Sequence, residues 1–225
     1  MNIKQHIPNT ITLGNLFCGC LGIYFVLDGF LFTGFWLMII AAILDFFDGF
    51  AARLLKVSGE LGAQLDSLAD MVTFGVLPAM FMFMMLQTKT ENYYIPFIGF
   101  FIALMSGYRL AKFNIDTEQT HHFKGLPTPI NAVIIASLGL VEGDTFVFSL
   151  YLLIAITIVT SLLLISDFPL LALKFKSFGW SENKASFTLI IVSLILISIF
   201  QIAAIPLILP IYLLISYLHF KLKII

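Results

Sequence analysis

Between Thr145 and Ser166 the chain runs for 22 residues without a charge or a proline, and apolar stretches of similar length fill most of the sequence. Hydrophobic residues make up 60% of the chain and charged residues 11%, with a mean hydropathy of +1.03. These values lie far outside the soluble globular range and describe an integral membrane protein. A bilayer core of about 30 Å needs roughly 20 apolar residues per helix. Cutting the chain where charges, prolines and glycines cluster predicts eight spans, over residues 11–29, 31–54, 62–87, 93–114, 127–142, 145–166, 185–204 and 206–222. Only Ala204-Ile205-Pro206 separates the last two, so one kinked helix is an alternative there. The expected fold is an all-α polytopic bundle forming a single domain over residues 1–225. Ahead of it, the stretch from Asn2 to Ile7 predicts a short interfacial helix stopped by Pro8, with Asn9 and Thr10 capping the first span.

Alternating eight spans puts Lys4, Arg53, Lys56, Arg109, Lys112, Lys124, Lys174, Lys176, Lys184, Lys221 and Lys223 on one side and Lys89 alone on the other. Cationic loops face the cytoplasm, so both the N-terminus and the cationic ends of the spans are expected there, at a prokaryotic inner membrane. Residues 1–28 do not read as a cleaved signal peptide, because the basic region is thin and no small-x-small site follows. A net charge of −1 gives no reason to expect a nucleic-acid partner. Cys18 and Cys20, two apart in one apolar segment, read as helix packing rather than a disulfide or metal site. The 24 phenylalanines are spread along the spans and read as lipid contact and packing.

Against this apolar background four aspartates stand out. Asp45 and Asp48 are three apart near the end of the second span, and Asp66 and Asp70 are four apart at the start of the third, so each pair shares a helix face. A short loop with Arg53, Lys56, Ser58 and Gly59 joins the two spans, and antiparallel packing would aim both pairs into one pocket. Four converging carboxylates repel one another unless hard divalent cations neutralise them. Mg²⁺ or Mn²⁺, two ions rather than one, suits such an all-oxygen site, and carboxylate-held metals commonly serve a diphosphate. Gly49, Ala52 and Gly62 carry little or no side chain, which lets a flat base or diphosphate lie against the backbone. Arg53 offers a fork of donors suited to phosphate. Asn9, Thr12 and Asn15 share a face of the first span, where they would line the same pocket or bond between helices.

The run from Asp45 to Asp70 resembles the complete signature of the CDP-alcohol phosphotransferase family, D-x2-D-G-x2-A-R-x8-G-x3-D-x3-D, with all eight defined positions filled. The resemblance implies cleavage of a CDP-linked lipid or alcohol, release of CMP and transfer of the substituted phosphate to a hydroxyl. It implies that Asp45, Asp48 and Asp66 are metal ligands, that Asp70 contributes to the metal site and is the base on the acceptor, and that the protein is a homodimer. The segments Pro8-Asn9-Thr-Ile-Thr12-Leu-Gly-Asn15, Tyr108-Arg109-Leu-Ala-Lys112-Phe-Asn114 and Gly125-Leu-Pro127-Thr128-Pro129 are similar to the branch of the family that uses CDP-diacylglycerol and L-serine. That branch more often has Arg where this chain has Lys112, a change that keeps the charge and loses the bidentate fork.

Serine brings a carboxylate, and Arg109, Lys112 and Lys124 are the cations available for it on the side of the aspartates. Arg109, within or at the end of the fourth span, is the least easily explained as a headgroup anchor. No cysteine, serine or histidine stands beside a base as a nucleophile, which favours a single displacement. Adjacent His121 and His122 read as solvated, and Pro127 and Pro129 as chain breakers before the fifth span. Two alternatives stay open: a sister transferase acting on glycerol 3-phosphate or inositol phosphate, and a cation transporter built on the same carboxylates.

Overall fold

The computed structural model describes residues 3–57, 59–115, 125–141, 147–168, 170–171 and 183–222. Among the described residues every regular element is helical. Helix α1 spans Ile3–Leu27 and α2 spans Leu31–Leu55. A third continuous stretch comprises α3 (Glu60–Asp70), a π-helical segment (Met71–Val76) and α4 (Leu77–Gln87). A 3₁₀ turn over Ile95–Phe100 leads into α5 (Phe101–Ile115), followed by α6 (Thr128–Val141), α7 (Leu150–Ile165), α8 (Lys184–Phe200) and α9 (Ala204–Tyr217).

Five stretches are long and apolar enough to cross a bilayer: His6–Leu27, Leu31–Leu55, Glu60–Gln87, Ile95–Ile115 and Lys184–Phe220. The last is broken. Gln201 takes a left-handed φ of 51° before the short turn Gln201–Ala203, and the chain continues as a separate helix. Ala185 and Leu189 of α8 join Leu209, Tyr212 and Ile215 of α9 in one buried cluster, so the two helices double back against each other rather than forming one kinked rod. The expected spans 127–142 and 145–166 are represented by helices of 14 and 16 residues, which rise only about 21 and 24 Å. Helix α6 is enclosed by its neighbours along most of its length.

The short N-terminal helix expected to stop at Pro8 is instead the first part of α1, which runs through the proline. A proline this near a helix start removes a single backbone bond, to a turn that is already incompletely bonded. Asn9 and Thr10 therefore do not cap a new helix; the Thr10 hydroxyl donates back to the His6 carbonyl at 2.7 Å.

The third stretch forms the axis of the bundle. Phe74, Leu77, Phe81, Met82 and Leu86 are completely buried among Val26 of α1, Phe35 and Met38 of α2, Ile102 of α5, Ile135 of α6 and Leu153 of α7. The outer faces are apolar: Phe17, Phe32, Phe46, Leu104 and Leu194 are each more than 60% exposed to the surroundings. An apolar exterior around an apolar core is the arrangement of a helix bundle solvated by lipid. Phenylalanines serve both surfaces, as composition suggests. Cys18 and Cys20 are free thiols, unbridged.

The π segment begins immediately after Asp70 and ends two residues before Pro78. In a regular α-helix the Pro78 ring would press on the Phe74 carbonyl and leave it without its donor. Widening the turn relieves that clash, and π segments of this kind often accompany functional sites.

Candidate active site

The last turns of α2 and the first turns of α3 carry the signature, and the chain between them is tight. Lys56 caps α2 in the left-handed region, at φ 52°, returning its N–H to the carbonyls of Ala52 and Arg53. Gly59 is extended and α3 starts at Glu60. Ser58 lies outside the described residues. This reversal brings α3 against α1, and the face-sharing pairs read from sequence converge. One carboxylate oxygen each of Asp45, Asp48 and Asp66 lie within 4.8 Å of one another. Asp45 is also in side-chain contact with Asp70, one turn further along α3.

Helix α1 closes the site from the side. The Thr12 hydroxyl lies 2.6 Å from Asp48 Oδ2 and 3.0 Å from the Pro8 carbonyl, and the shorter, charge-assisted bond is the better claimant for its one proton. Next to the carboxylates is a cavity of about 300 Å³ lined by Asn9, Thr12, Asp48, Gly49, Ala52 and Gly62, with Asp66, Pro8, Val57, Gly59, Leu61 and Ala63 completing it. Gly62 lets the backbone of α3 come close to Asn9, since a Cβ there would lie 3.3 Å from Asn9 Oδ1.

The carboxylate set fits one or more hard divalent cations. Three oxygens gathered this closely, with Asp48 only 6% exposed, repel one another unless a cation or a proton lies between them. Among the described residues no lysine or arginine forms a salt bridge to any of the four aspartates. Asp70 Oδ1 is buried without a hydrogen-bond partner, an orphaned acceptor beside the cluster. Oxygen-only ligation of this kind suits Mg²⁺, Ca²⁺ or Mn²⁺ rather than the softer metals.

The remaining residues picked out from sequence divide. Gly49, Ala52, Gly62, Asn9 and Thr12 meet at the cavity. Arg53 does not line it; its side chain is exposed and lies over Gly49, with Nη1 3.6 Å from where a Cβ would stand. Arg109 is half-buried on α5 with its Nε enclosed and unpartnered. Lys112 sits 3.8 Å from Asp167, in an ion pair with the segment after α7. Lys124 lies outside the described residues, as do His121 and His122. Asn15 is fully buried and faces the π segment, accepting the Thr73 hydroxyl at 2.8 Å, so it bonds between helices rather than lining the cavity.

Sequence reasoning passed over a reciprocal pair. Ser67 Oγ and the Asn114 amide exchange bonds at 2.9 and 3.2 Å, tying the end of α5 to the residue after Asp66. A serine adjacent to a signature aspartate was the available signal, but its partner is 47 residues away.

A family model described as CDP-alcohol phosphatidyltransferase matches residues 5–164. The chain is 38% identical over 139 residues to the CDP-diacylglycerol–serine O-phosphatidyltransferase of Bacillus subtilis, covering 60% of this chain and 76% of the relative. It is 28% identical over 217 residues to the enzyme of the same name from Helicobacter pylori, covering 92% of this chain and 87% of the relative. The archaetidylserine synthase of Methanothermobacter thermautotrophicus is 31% identical over 156 residues, 68% of this chain and 65% of the relative. The matched residues run from the start of α1 through nearly all of α7 and contain the whole carboxylate cluster and its cavity. The chain is an integral-membrane enzyme that belongs to the CDP-alcohol phosphatidyltransferase family.

Proposed function

We propose that this enzyme transfers the phosphatidyl group of CDP-diacylglycerol to the hydroxyl of L-serine, giving phosphatidylserine and CMP. The observation that carries the reading is the junction of a three-carboxylate cluster with a cavity whose walls are Gly49, Ala52 and Gly62. Walls with little or no side chain admit the cytidine and its diphosphate, and the carboxylates supply the cation sites that a diphosphate requires. Serine as acceptor is supported by the names of the relatives from Bacillus subtilis and Helicobacter pylori.

Asp45, Asp48 and Asp66 would hold divalent cation, Mg²⁺ or Mn²⁺, with Thr12 fixing the Asp48 carboxylate. When bound, the cation neutralises the diphosphate and the charge that develops on the departing CMP. Asn9, Gly49, Ala52 and Gly62 seat the nucleotide. Asp70, beside Asp45 and with one oxygen free of protein partners, accepts the proton of the serine hydroxyl. The serine oxygen forms the new bond to the lipid-bearing phosphorus as the bond from that phosphorus to the CMP oxygen breaks. Arg109 is the cation for the serine carboxylate. Lys112, engaged by Asp167, carries no step.

The active site faces the cytoplasm in this reading, following the cationic loops, and the protein works as a homodimer. The test is CMP release by the purified full chain in detergent with CDP-diacylglycerol and Mn²⁺ or Mg²⁺. Serine is compared with glycerol 3-phosphate, inositol phosphate and no acceptor, alongside Asp70→Asn. Serine-dependent release that the variant loses supports the reading. Release driven by another acceptor removes serine and keeps the reaction class.

A further inference from the structure

Besides Asn15, Asp70 and Ser106, four residues outside the cavity, from three different helices, bury polar atoms without a hydrogen-bond partner. The atoms are Arg109 Nε of α5, Thr128 Oγ1 and both amide atoms of Asn131 of α6, and Ser161 Oγ of α7. Thr128 is 1% exposed, and Asn131 and Ser161 are fully enclosed. A single such group is ordinary in a membrane bundle, but an amide with both ends unmatched is costly in an apolar interior.

Contacts elsewhere place these groups in one layer. A Cβ on Gly139 would lie 3.0 Å from Phe81, so stepping back along α6 and the central stretch sets Asn131 level with Thr73 and Thr128 level with Asp70. Helix α6 packs directly on the π segment that comes after Asp70. On the other flank, Gly75 abuts Ser106 and Ser67 bonds Asn114, which sets Arg109 level with the first residues of that segment. Leu126 N donates to the Leu163 carbonyl at 2.9 Å, bringing Ser161 to the height of Thr128. The partnerless oxygen of Asp70 belongs to the same layer, whereas Asp48 and Asp66 face the cavity on the α1 side.

In-line phosphoryl transfer needs the attacking and leaving oxygens on opposite sides of phosphorus. With the nucleotide on the α1 side, the acceptor must come from the other side of Asp70, where this layer lies. We infer that Thr128 and Asn131 are acceptor-binding residues. With Arg109 they hold the charged and polar ends of a small zwitterion, and so determine which hydroxyl compound is used. The amide can both donate to a carboxylate and accept from an ammonium group, and the hydroxyl can do either. This inference rests on the transferase reading above.

The test measures kcat and KM for serine and for CDP-diacylglycerol in the full chain carrying Asn131→Leu or Thr128→Val. Ser137→Ala serves as a control on the same helix, since its hydroxyl is satisfied by the Ile134 carbonyl. The expected result is a serine KM raised roughly tenfold or more, with the CDP-diacylglycerol KM within about twofold of the parent. Thermal stability should be unchanged or higher, because an apolar replacement removes an unmatched polar group. Should Asn131→Leu not fold, Asn131→Ala and Thr128→Val carry the measurement. A serine KM within about twofold of the parent overturns the inference, as does a parallel loss in both substrates. If the parent uses another acceptor, the serine reading fails separately, and the same thresholds applied to that acceptor decide the inference. If the parent releases CMP with no acceptor, both readings fail.

Discussion

The two ends of the central helical stretch are built for opposite purposes. In α3, from Glu60 to Asp70, only Ala69 is buried, and the polar Glu60, Gln64, Asp66, Ser67 and Asp70 alternate with small or apolar residues. In α4, from Leu77 to Gln87, seven residues are buried and every side chain except that of Gln87 is apolar. The π segment between them is where one regime passes into the other. A set of mutually repelling carboxylates cannot stabilise the helix that carries it, so α3 is positioned by its packing against α1 and by its continuity with the buried stretch C-terminal to it. The anchoring comes from α4, packed on all sides, and the chemistry sits on the end it holds still.

That division predicts separable effects. The largest concerns Asp66→Asn, which should lower CMP release by roughly a hundredfold or more while leaving thermal stability the same or raising it, because it relieves repulsion within the cluster. Chelation of divalent cations should mimic this loss reversibly, and a mutant with both activity and stability collapsed would break the separation. Phe81→Ala, in the fully buried α4, should do the reverse. It should cost about 3–5 kcal/mol of stability, seen as a lower melting temperature in detergent, with turnover per folded molecule largely kept.

Thr12→Val sharpens the comparison from the neighbouring helix. Loss of the 2.6 Å bond to Asp48 leaves that carboxylate less well oriented. The concentration of Mn²⁺ or Mg²⁺ for half-maximal activity should rise roughly tenfold, in line with a charge-assisted bond of about 1.5–3 kcal/mol. The smallest effect is expected at Lys112→Ala. Its pair with Asp167 is long, at 3.8 Å, and both side chains are about half exposed or more. Such a pair contributes about 0–1 kcal/mol. Serine KM should change by less than about twofold; a large rise would return Lys112 to the acceptor site.

Much of the site was legible in sequence because its logic is local. Asp45 with Asp48, and Asp66 with Asp70, share faces through helical periodicity alone, and with α2 ending at Leu55 and α3 starting at Glu60 the two pairs are held close together. Thr12 and Asn9 could be read for the same reason, as successive turns of one face. What could not be read depends on neighbours distant in the chain. Pro8 interrupts nothing, because the remainder of α1 is held by α2 along its length. The doubling back of α8 and α9 depends on the backbone turn at Gln201, where no glycine announces it. Lys112 was legible as a cation but not as the partner of Asp167, 55 residues on.

By itself the sequence determined the solvent, the helical class and the reaction family. Each of these comes from composition or from spacings under one helical turn to a few turns long. Only the tertiary structure decided which side of the carboxylate cluster opens into the cavity, and left polar groups of α5, α6 and α7 buried without partners. It also decided that the helix must widen just after Asp70. The physical reason is that hydrogen-bond satisfaction is a property of the packed interior. Whether Asn131, Thr128 or Arg109 has a partner depends on which helices surround it, and residue spacing within one helix carries no record of that.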